Sequence, residues 1–199
     1  MLTCVAQDAE RPALGGDARD RQGTMTVLFT DLVGSAELIW RLGDHAGSAV
    51  ILGHLARLRG IVATHGGWAV KNLGDGLMVA FRSPLSATRC AISMQAATAP
   101  AAAGDQALLL RVGIHAGEPI FDGDDLYGQA VVIASRLCDR AEGGQILASA
   151  RVATLVGPHG PLEFEELGSV ALKGLHTPLE VVEVRSDPLL RYGVSSITT

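Results

Sequence analysis

The sequence predicts an α+β domain of the split βαβ type, with helices packed on a β-sheet. Short β-rich runs alternate with helical periodicity in the order strand, helix, hairpin, helix, strand, helix, strands. The length of 199 residues suits one domain of roughly 150 residues with tails. A chain that is 48% hydrophobic and 19% charged has the composition of a globular core.

The N-terminal half contains the first helices and a hairpin. Residues 1–23 lack hydrophobic periodicity, so we expect a flexible tail, and the first strand is predicted at MTVLFTD, residues 25–31. Apolar residues recur at helical intervals over 35–65, but the pattern slips around Gly43–Gly47, which predicts a bend or break. In WAVKNLGDGLMVAF, residues 68–81, two β-rich runs flank Gly74-Asp75-Gly76 and predict a hairpin.

The rest of the chain is predicted from the same two periodicities. Helices are expected at 84–98 and 129–141, and a low-complexity loop, TAPAAAGDQA, follows the first of them. Residues 118–128 are predicted to form a polar, turn-rich arm, and residues 187–199 a C-terminal tail. Strands are expected at 108–117, 145–149, 162–167 and 179–184, with LKGLHTP as the last turn.

Charge, hydropathy and cysteine content exclude several classes of protein. A net charge of -5 argues against a nucleic-acid surface, which needs a basic excess. No apolar run approaches the roughly 18 residues that span a bilayer, and the N-terminus lacks the pattern of a signal peptide, so we expect no membrane segment. Cys4, Cys90 and Cys138 are too scattered for disulfides or zinc, which favours a cytoplasmic protein with reduced thiols.

FTDLVGS, residues 29–35, is a candidate site for phosphate and metal. Asp31 ends the predicted strand, and Gly34-Ser35 begins a helix whose free N–H groups could bind an anion. A carboxylate beside that helix start could hold a metal that also binds phosphates. The alternative is that Asp31 is only a turn residue.

Asp75 is a second candidate metal ligand. It lies between two glycines at the predicted hairpin tip, where Asp-Gly could equally serve only the turn. Two carboxylates on neighbouring strand ends could bind two divalent ions, the arrangement that suits in-line displacement at phosphorus.

FTDLVGS, KNLGDG, RVGIHAGE, DLYGQAVVIASR and LKG follow one another in the order and approximate spacing of class III adenylate cyclases. Over residues 24–186 the chain thus resembles the catalytic domain of this family. The resemblance implies a ferredoxin-like palm (βαββαβ core) with extra C-terminal strands, paired head to tail in a homodimer with shared sites. It also implies that ATP is the substrate and that two Mg2+ or Mn2+ ions assist its cyclisation.

The resemblance assigns roles to individual positions. Asp31 and Asp75 match the family's metal ligands, Lys71 and Asp125 the residues that recognise adenine, Arg136 the arginine that stabilises the transition state, and Lys173 a lysine that contacts phosphate. Gly34 and Ser35 would contribute backbone N–H groups to substrate binding.

The predicted pair of Lys71 and Asp125 favours ATP over GTP. Adenine offers a ring-nitrogen acceptor and an amino donor, which a lysine and an aspartate complement. Guanine reverses that edge and would suit an acceptor such as Glu at position 71, so a guanylate cyclase is the disfavoured alternative. Without the motifs around them, both residues would pass for solvated surface charges.

Position 132 departs from the family. The family has an asparagine four residues before the arginine, where both side chains share one helical face, and this chain has Val132. Losing one preorganised donor typically costs ~10²–10³ in rate, so we expect a slow enzyme. The alternative is a degenerate cyclase fold that binds nucleotide and regulates a partner without turnover.

Three further features are interpreted structurally. His115 is expected to be a satisfied structural histidine. Trp40 and Trp68 are expected in the core or in dimer packing, and Glu163, Glu165 and Glu166 on the solvated face of a strand.

Overall fold

The computed structural model describes residues 23–98, 108–157 and 162–186, in which strands and helices alternate as predicted. The strands are β1 (Met25–Val33), β2 (Trp68–Asn72), β3 (Leu77–Phe81), β4 (Leu109–Gly117), β5 (Ile120–Asp122), β6 (Asp125–Tyr127), β7 (Ile146–Ser149), β8 (Leu162–Val170) and β9 (Leu179–Ser186). The helices are α1 (Ser35–Leu42), α2 (Asp44–Thr64), α3 (Pro84–Thr98), α4 (Gln129–Arg140) and α5 (Ala150–Val156). The expected tails and the loop after α3 lie almost entirely outside these ranges.

A seven-stranded mixed sheet organises the domain, in the order β2-β3-β1-β4-β7-β9-β8, while β5 and β6 form a separate hairpin. β1 is antiparallel to both of its neighbours, β3 and β4. β4 and β7 are parallel, and a parallel pair needs a long crossover, which α4 supplies. The predicted α+β class is confirmed.

Alternation along β1 divides the interior between the two faces of the sheet. Leu28 and Leu32 belong to the large core, to which α2, α3 and α5 contribute, whereas Val27 and Phe29 belong to a smaller cluster beneath α4 and the β5–β6 hairpin. We call the second side the α4 face. Its cover is a single helix and a short hairpin, so the polar residues beside them remain accessible.

Gly113 allows α4 to lie close to the sheet. A Cβ atom at this position in β4 would overlap the backbone of Ala134 and of Cys138. Only glycine avoids that overlap without moving the helix. The position of α4, and of every side chain on its outer surface, therefore depends on one missing side chain.

The predicted break in the first helical segment is confirmed, since Gly43 separates α1 from α2 with a φ of 79°. α5 was not predicted from the sequence. The predicted polar arm contains the β5–β6 hairpin. β1 also continues beyond the predicted end at Asp31, because Leu32 and Val33 still pair with β4.

The structure narrows one expectation about apolar surface and corrects another. Trp40 is 88% exposed, so the core is excluded for it and dimer packing stays a prediction, whereas Trp68 packs beside the cluster on the α4 face. The expectation that no apolar segment is long enough to span a membrane is wrong for α2, which passes that test by length and composition. One side of α2 nevertheless lies in the protein core, through Ile51, Leu55, Leu58 and Val62.

Candidate active site

The turn that carries Asp75 packs directly on the strand that carries Asp31. A Cβ atom at Gly76 would overlap the carbonyl oxygen of Thr30, and the N–H of Leu77 donates to the Thr30 hydroxyl at 2.9 Å. The backbone therefore brings the β2–β3 turn against β1, and only glycine permits that approach. The two predicted metal ligands lie on adjacent segments of the chain in space.

Asp31 already has a cationic partner, Arg111, which the sequence analysis missed. Arg111 lies opposite Asp31 in the β1–β4 register, and its Nε donates to Asp31 Oδ2 at 3.0 Å, with a second bond from Nη2. The hydrogen bonds to Asp31 raise the pKa of Arg111. Alternation along LLRVGIHAG could have indicated that Arg111 lies on the opposite face from Leu110 and Val112.

A buried histidine lies within electrostatic reach of Asp75. The pKa of His54, on α2, is lowered chiefly by burial and further by Arg57, while the charge of Asp75 acts in the opposite direction. Its Nε2 atom has no hydrogen-bond partner among the described residues. Burial therefore favours the neutral form of His54, which gives it no charged role beside Asp75.

Asp31 and Asp75 suit a metal that is shared with a substrate. Among the described residues, no group of three or more His, Cys, Asp or Glu side chains could hold a metal ion by itself. Mg2+ is typically held by one or two carboxylates, with water and substrate phosphates completing its shell. The two carboxylates fit such ions and do not form a closed structural metal site.

Lys71 and Asp125, which are 54 positions apart in the sequence, form an ion pair on the α4 face. Lys71 Nζ lies 2.6 Å from Asp125 Oδ2, and the N–H of Leu126 donates to Oδ1 at 2.8 Å. The hydrogen bond from Lys71 is the main cause that lowers the pKa of Asp125, and those from Tyr127 and the Leu126 N–H add to it. Lys71 is thus the donor of the pair and Asp125 the acceptor.

The outer surface of α4 carries Arg136 and Val132. Residues Ala130, Ile133, Ala134, Leu137 and Cys138 are buried against the sheet, which leaves Val132 43% exposed on the other side. Arg136 Nε donates to the carbonyl of Lys173 at 3.1 Å, and its Nη1 pairs with Asp139 at 2.8 Å. Arg136 and Lys173 are therefore neighbours, although 37 residues separate them.

The start of α1 is less suited to an anion than the sequence predicts. Gly34 caps the helix with a φ of 78°, but Glu37 occupies the first turn. Its carboxylate reaches to 3.8 Å from where a Cβ of Gly34 would lie. An acidic side chain already takes the favourable position at the positive end of the helix dipole, so a phosphate at Gly34 and Ser35 would have to compete with it.

His115 has the structural role expected of it. It is buried on the α4 face, and its Nδ1 lies 2.8 Å from the Ser149 hydroxyl. Burial, with a smaller effect of the Arg151 charge, lowers the pKa of His115 to about 4. The ring is therefore neutral near pH 7, is held by a buried serine of β7, and supplies no charge to the site.

Comparison with known proteins agrees with this geometry. Residues 18–184 match the family model described as the adenylate and guanylate cyclase catalytic domain. The "Putative adenylate cyclase 3" of Rhizobium meliloti (strain 1021) is 30% identical over 168 residues, covering 81% of this chain and 28% of that protein. A receptor-type adenylate cyclase of Trypanosoma congolense is 25% identical over 233 residues, covering 94% of this chain and 31% of that protein.

A solved structure shows the same arrangement of elements. The crystal structure of the adenylyl cyclase CyaB from P. aeruginosa superposes with a TM-score of 0.74 at 25% identity, covering 83% of this chain and 95% of that one. This chain spans less than a third of the length of the two relatives above, 28% and 31%. The family match nevertheless covers nearly all of the described residues, and the chain belongs to the family of adenylate and guanylate cyclase catalytic domains.

Proposed function

We propose that the domain at residues 24–186 is an adenylate cyclase that converts ATP to cyclic AMP and pyrophosphate. The observation that carries the choice of ATP is the ion pair between Lys71 and Asp125, at 2.6 Å on the accessible α4 face. Lysine can donate to the ring nitrogen N1 of adenine while aspartate accepts from its amino group. A polar pair that is held in place discriminates between bases, because the wrong base then leaves its groups unpaired.

In the proposed reaction the ribose 3′-oxygen attacks the α-phosphorus in line. A new P–O bond closes the ring, the bond to pyrophosphate breaks, and the hydroxyl proton passes to solvent. Asp31 and Asp75 would hold two divalent ions, whose chemistry is to acidify the hydroxyl and neutralise phosphate charge. Arg136 would stabilise the charge that develops at the α-phosphate, and Lys173 would bind the remaining phosphates.

The proposed site is shared between two copies of the chain in a head-to-tail homodimer. Two apolar residues that pair across β1 and β4, Val33 and Leu109, are exposed beyond Asp31, and Leu73 is exposed beside the Asp75 turn. Exposed apolar surface next to a polar site supports a contact there with another protein surface. In the dimer one subunit would supply the metal ligands, and its partner the base-binding pair and Arg136.

A second candidate function is supported by Val132. This side chain is exposed on the same helical surface as Arg136, where a hydrogen-bonding group could reach a ribose or phosphate and valine cannot. A domain with this replacement could bind ATP and regulate a partner without turnover. The two functions differ in whether bound ATP is consumed.

The test is incubation of the purified protein with ATP or GTP and Mn2+, with chromatographic measurement of both cyclic products. We expect cyclic AMP from the wild type and at least ~10²-fold less from Asp75→Ala, since a lost transition-state contact of this kind costs about that much. Glu166→Ala, an exposed acid on β8, is the matched control and should keep full activity. ATP binding without any product would instead support the regulatory function, and near-normal turnover by Asp75→Ala would contradict the metal assignment.

A further inference from the structure

Lys71 and Asp125 cannot select a base by their chemistry alone. With lysine at N1 and aspartate at the 6-position, the pair complements adenine. With the two side chains exchanged, lysine would donate to the O6 of guanine and aspartate would accept from its N1–H. Selectivity therefore requires that each side chain is held in place, and two flexible side chains on separate elements do not ensure this.

Tyr127 contacts both members of the pair. Lys71 Nζ lies 5.3 Å from the centroid of the Tyr127 ring, within the range of a cation–π interaction. The Tyr127 hydroxyl also interacts with the Asp125 carboxylate, an interaction that raises the pKa of Tyr127 and contributes to lowering that of Asp125. Tyr127 is two residues beyond Asp125 on β6, and its side chain is 47% exposed beside the pair, not buried in the core.

The hydrogen bonds already made to Asp125 limit how a base can bind. A carboxylate has about four acceptor positions, and two of those of Asp125 receive Lys71 and the N–H of Leu126. The other positions are available to the Tyr127 hydroxyl and to the single amino hydrogen that adenine can direct at Asp125. The N–H of Leu126 also orients the carboxylate, which favours Asp125 as the acceptor of the pair.

We propose that Tyr127 determines base selectivity by holding Lys71 against its ring and Asp125 by its hydroxyl. Lys71 can then face only N1 of the base and Asp125 only the 6-position, the arrangement that complements adenine. This inference rests on the proposed nucleotide function and assigns Tyr127 as a positioning residue. The ring and the hydroxyl act separately, and their contributions can be separated by substitution.

The experiment compares wild type, Tyr127→Phe and Tyr127→Leu. For each protein, kcat/KM is measured with ATP and with GTP in Mn2+, and ATP and GTP are each used to displace a fluorescent ATP analogue, a measurement that does not need turnover. Tyr127→Leu should lower the ATP-to-GTP ratio by about 10-fold, because it removes both contacts. Tyr127→Phe keeps the ring and should lower the ratio by about 3-fold. Ile120→Ala, at the cross-strand partner of Tyr127, is the control for loosening of the hairpin and should leave the ratio unchanged.

The outcomes separate this inference from the proposed function. An unchanged ratio in Tyr127→Leu, with both nucleotides weakened equally, would show a merely structural role and overturn the inference while the cyclase function stands. Selective ATP displacement that Tyr127→Leu abolishes, without product from wild type, would support the inference and contradict the enzyme. If neither nucleotide displaces the analogue from the wild type, both proposals are wrong.

Discussion

Val132 and Arg136 share the outer surface of α4, one helical turn apart. The arginine is fixed by the Lys173 carbonyl and by Asp139, whereas the valine presents only methyl groups at 43% exposure. An exposed valine on a helix contributes little to packing, so its replacement should alter chemistry more than stability.

We expect Val132→Asn to raise kcat for ATP by at least ~10-fold, a conservative share of what one preorganised donor contributes. The effect should fall on kcat more than on KM, because the new contact forms mainly in the transition state. Steady-state kinetics with ATP and Mn2+ provide the measurement. Val50→Asn changes a similarly exposed valine on α2 and should have no effect. An unchanged kcat in a folded Val132→Asn protein would show that position 132 does not face the nucleotide.

Single residues were predictable from the sequence where a motif fixed their neighbours. The motifs indicated that Lys71 and Asp125 act together, and their ion pair agrees with that hypothesis. The pairing of Arg111 with Asp31 was not predicted, because the two residues are 80 positions apart and their contact depends on the β1–β4 register. Alternation indicates the face on which Arg111 lies, but the residue opposite it depends on the pairing of two strands far apart in the sequence.

At the scale of elements, those marked by strong local sequence signals were predicted correctly, whereas a short helix was not. Gly43 and the Gly74-Asp75-Gly76 turn interrupt apolar patterns, and the structure has a break and a hairpin there. α5 has only seven residues, and its sequence ARVATLV contains β-branched residues that suit a strand equally well. Its helical form follows from the packing of Val152 and Val156 in the large core.

The contact between α4 and the sheet should be sensitive to one methyl group. Gly113→Ala forces a Cβ into the backbone of α4, and we expect a loss of about 1–3 kcal/mol in the free energy of unfolding. Gly60 is at an exposed position of α2, where an added Cβ would meet no neighbouring atom. Gly60→Ala should therefore raise the free energy of unfolding by about 0.5–1 kcal/mol. Urea denaturation of both variants provides the comparison. Equal effects of the two substitutions would mean that α4 does not rest on Gly113.

At the scale of the whole molecule, the proposed dimer can be tested by complementation. Asp75→Ala and Arg136→Ala should each be inactive, because one lacks a metal ligand and the other the transition-state arginine. After subunit exchange, a mixed dimer has one site with neither mutation, so activity should return to about a quarter of the wild-type value. Cyclic AMP formation by the mixture, compared with each variant alone, is the measurement. If each active site were contained within one chain, the mixture would stay inactive even after subunit exchange has been demonstrated.

The stability of the fold should depend on pH through His115. Its pKa in the folded protein is about 4, below the ordinary value of 6.5, so the unfolded chain binds more protons between these values. Stability is therefore complete above pH 6.5 and falls as the pH drops towards 4, by about 2 kcal/mol between pH 7.5 and 5. Burial of His54 acts in the same direction.

Urea unfolding at pH 7.5 and pH 5 provides the measurement for this prediction. His115→Asn keeps a polar group near Ser149 but cannot titrate, so its stability should vary less between the two pH values. A pH dependence equal to that of the wild type would show that other groups cause it.

β8, one of the two edge strands of the sheet, has consequences for solubility. An exposed strand edge offers unpaired N–H and C=O groups to other chains and is a common site of aggregation. β8 carries Glu163, Glu165 and Glu166 on exposed positions, and its register with β9 shifts between Glu166 and Gly168. Repulsion between the carboxylates of two such edges and the irregular backbone both oppose edge-to-edge pairing of β8 with another sheet. Concentrated protein should therefore resist fibrous assembly at this edge.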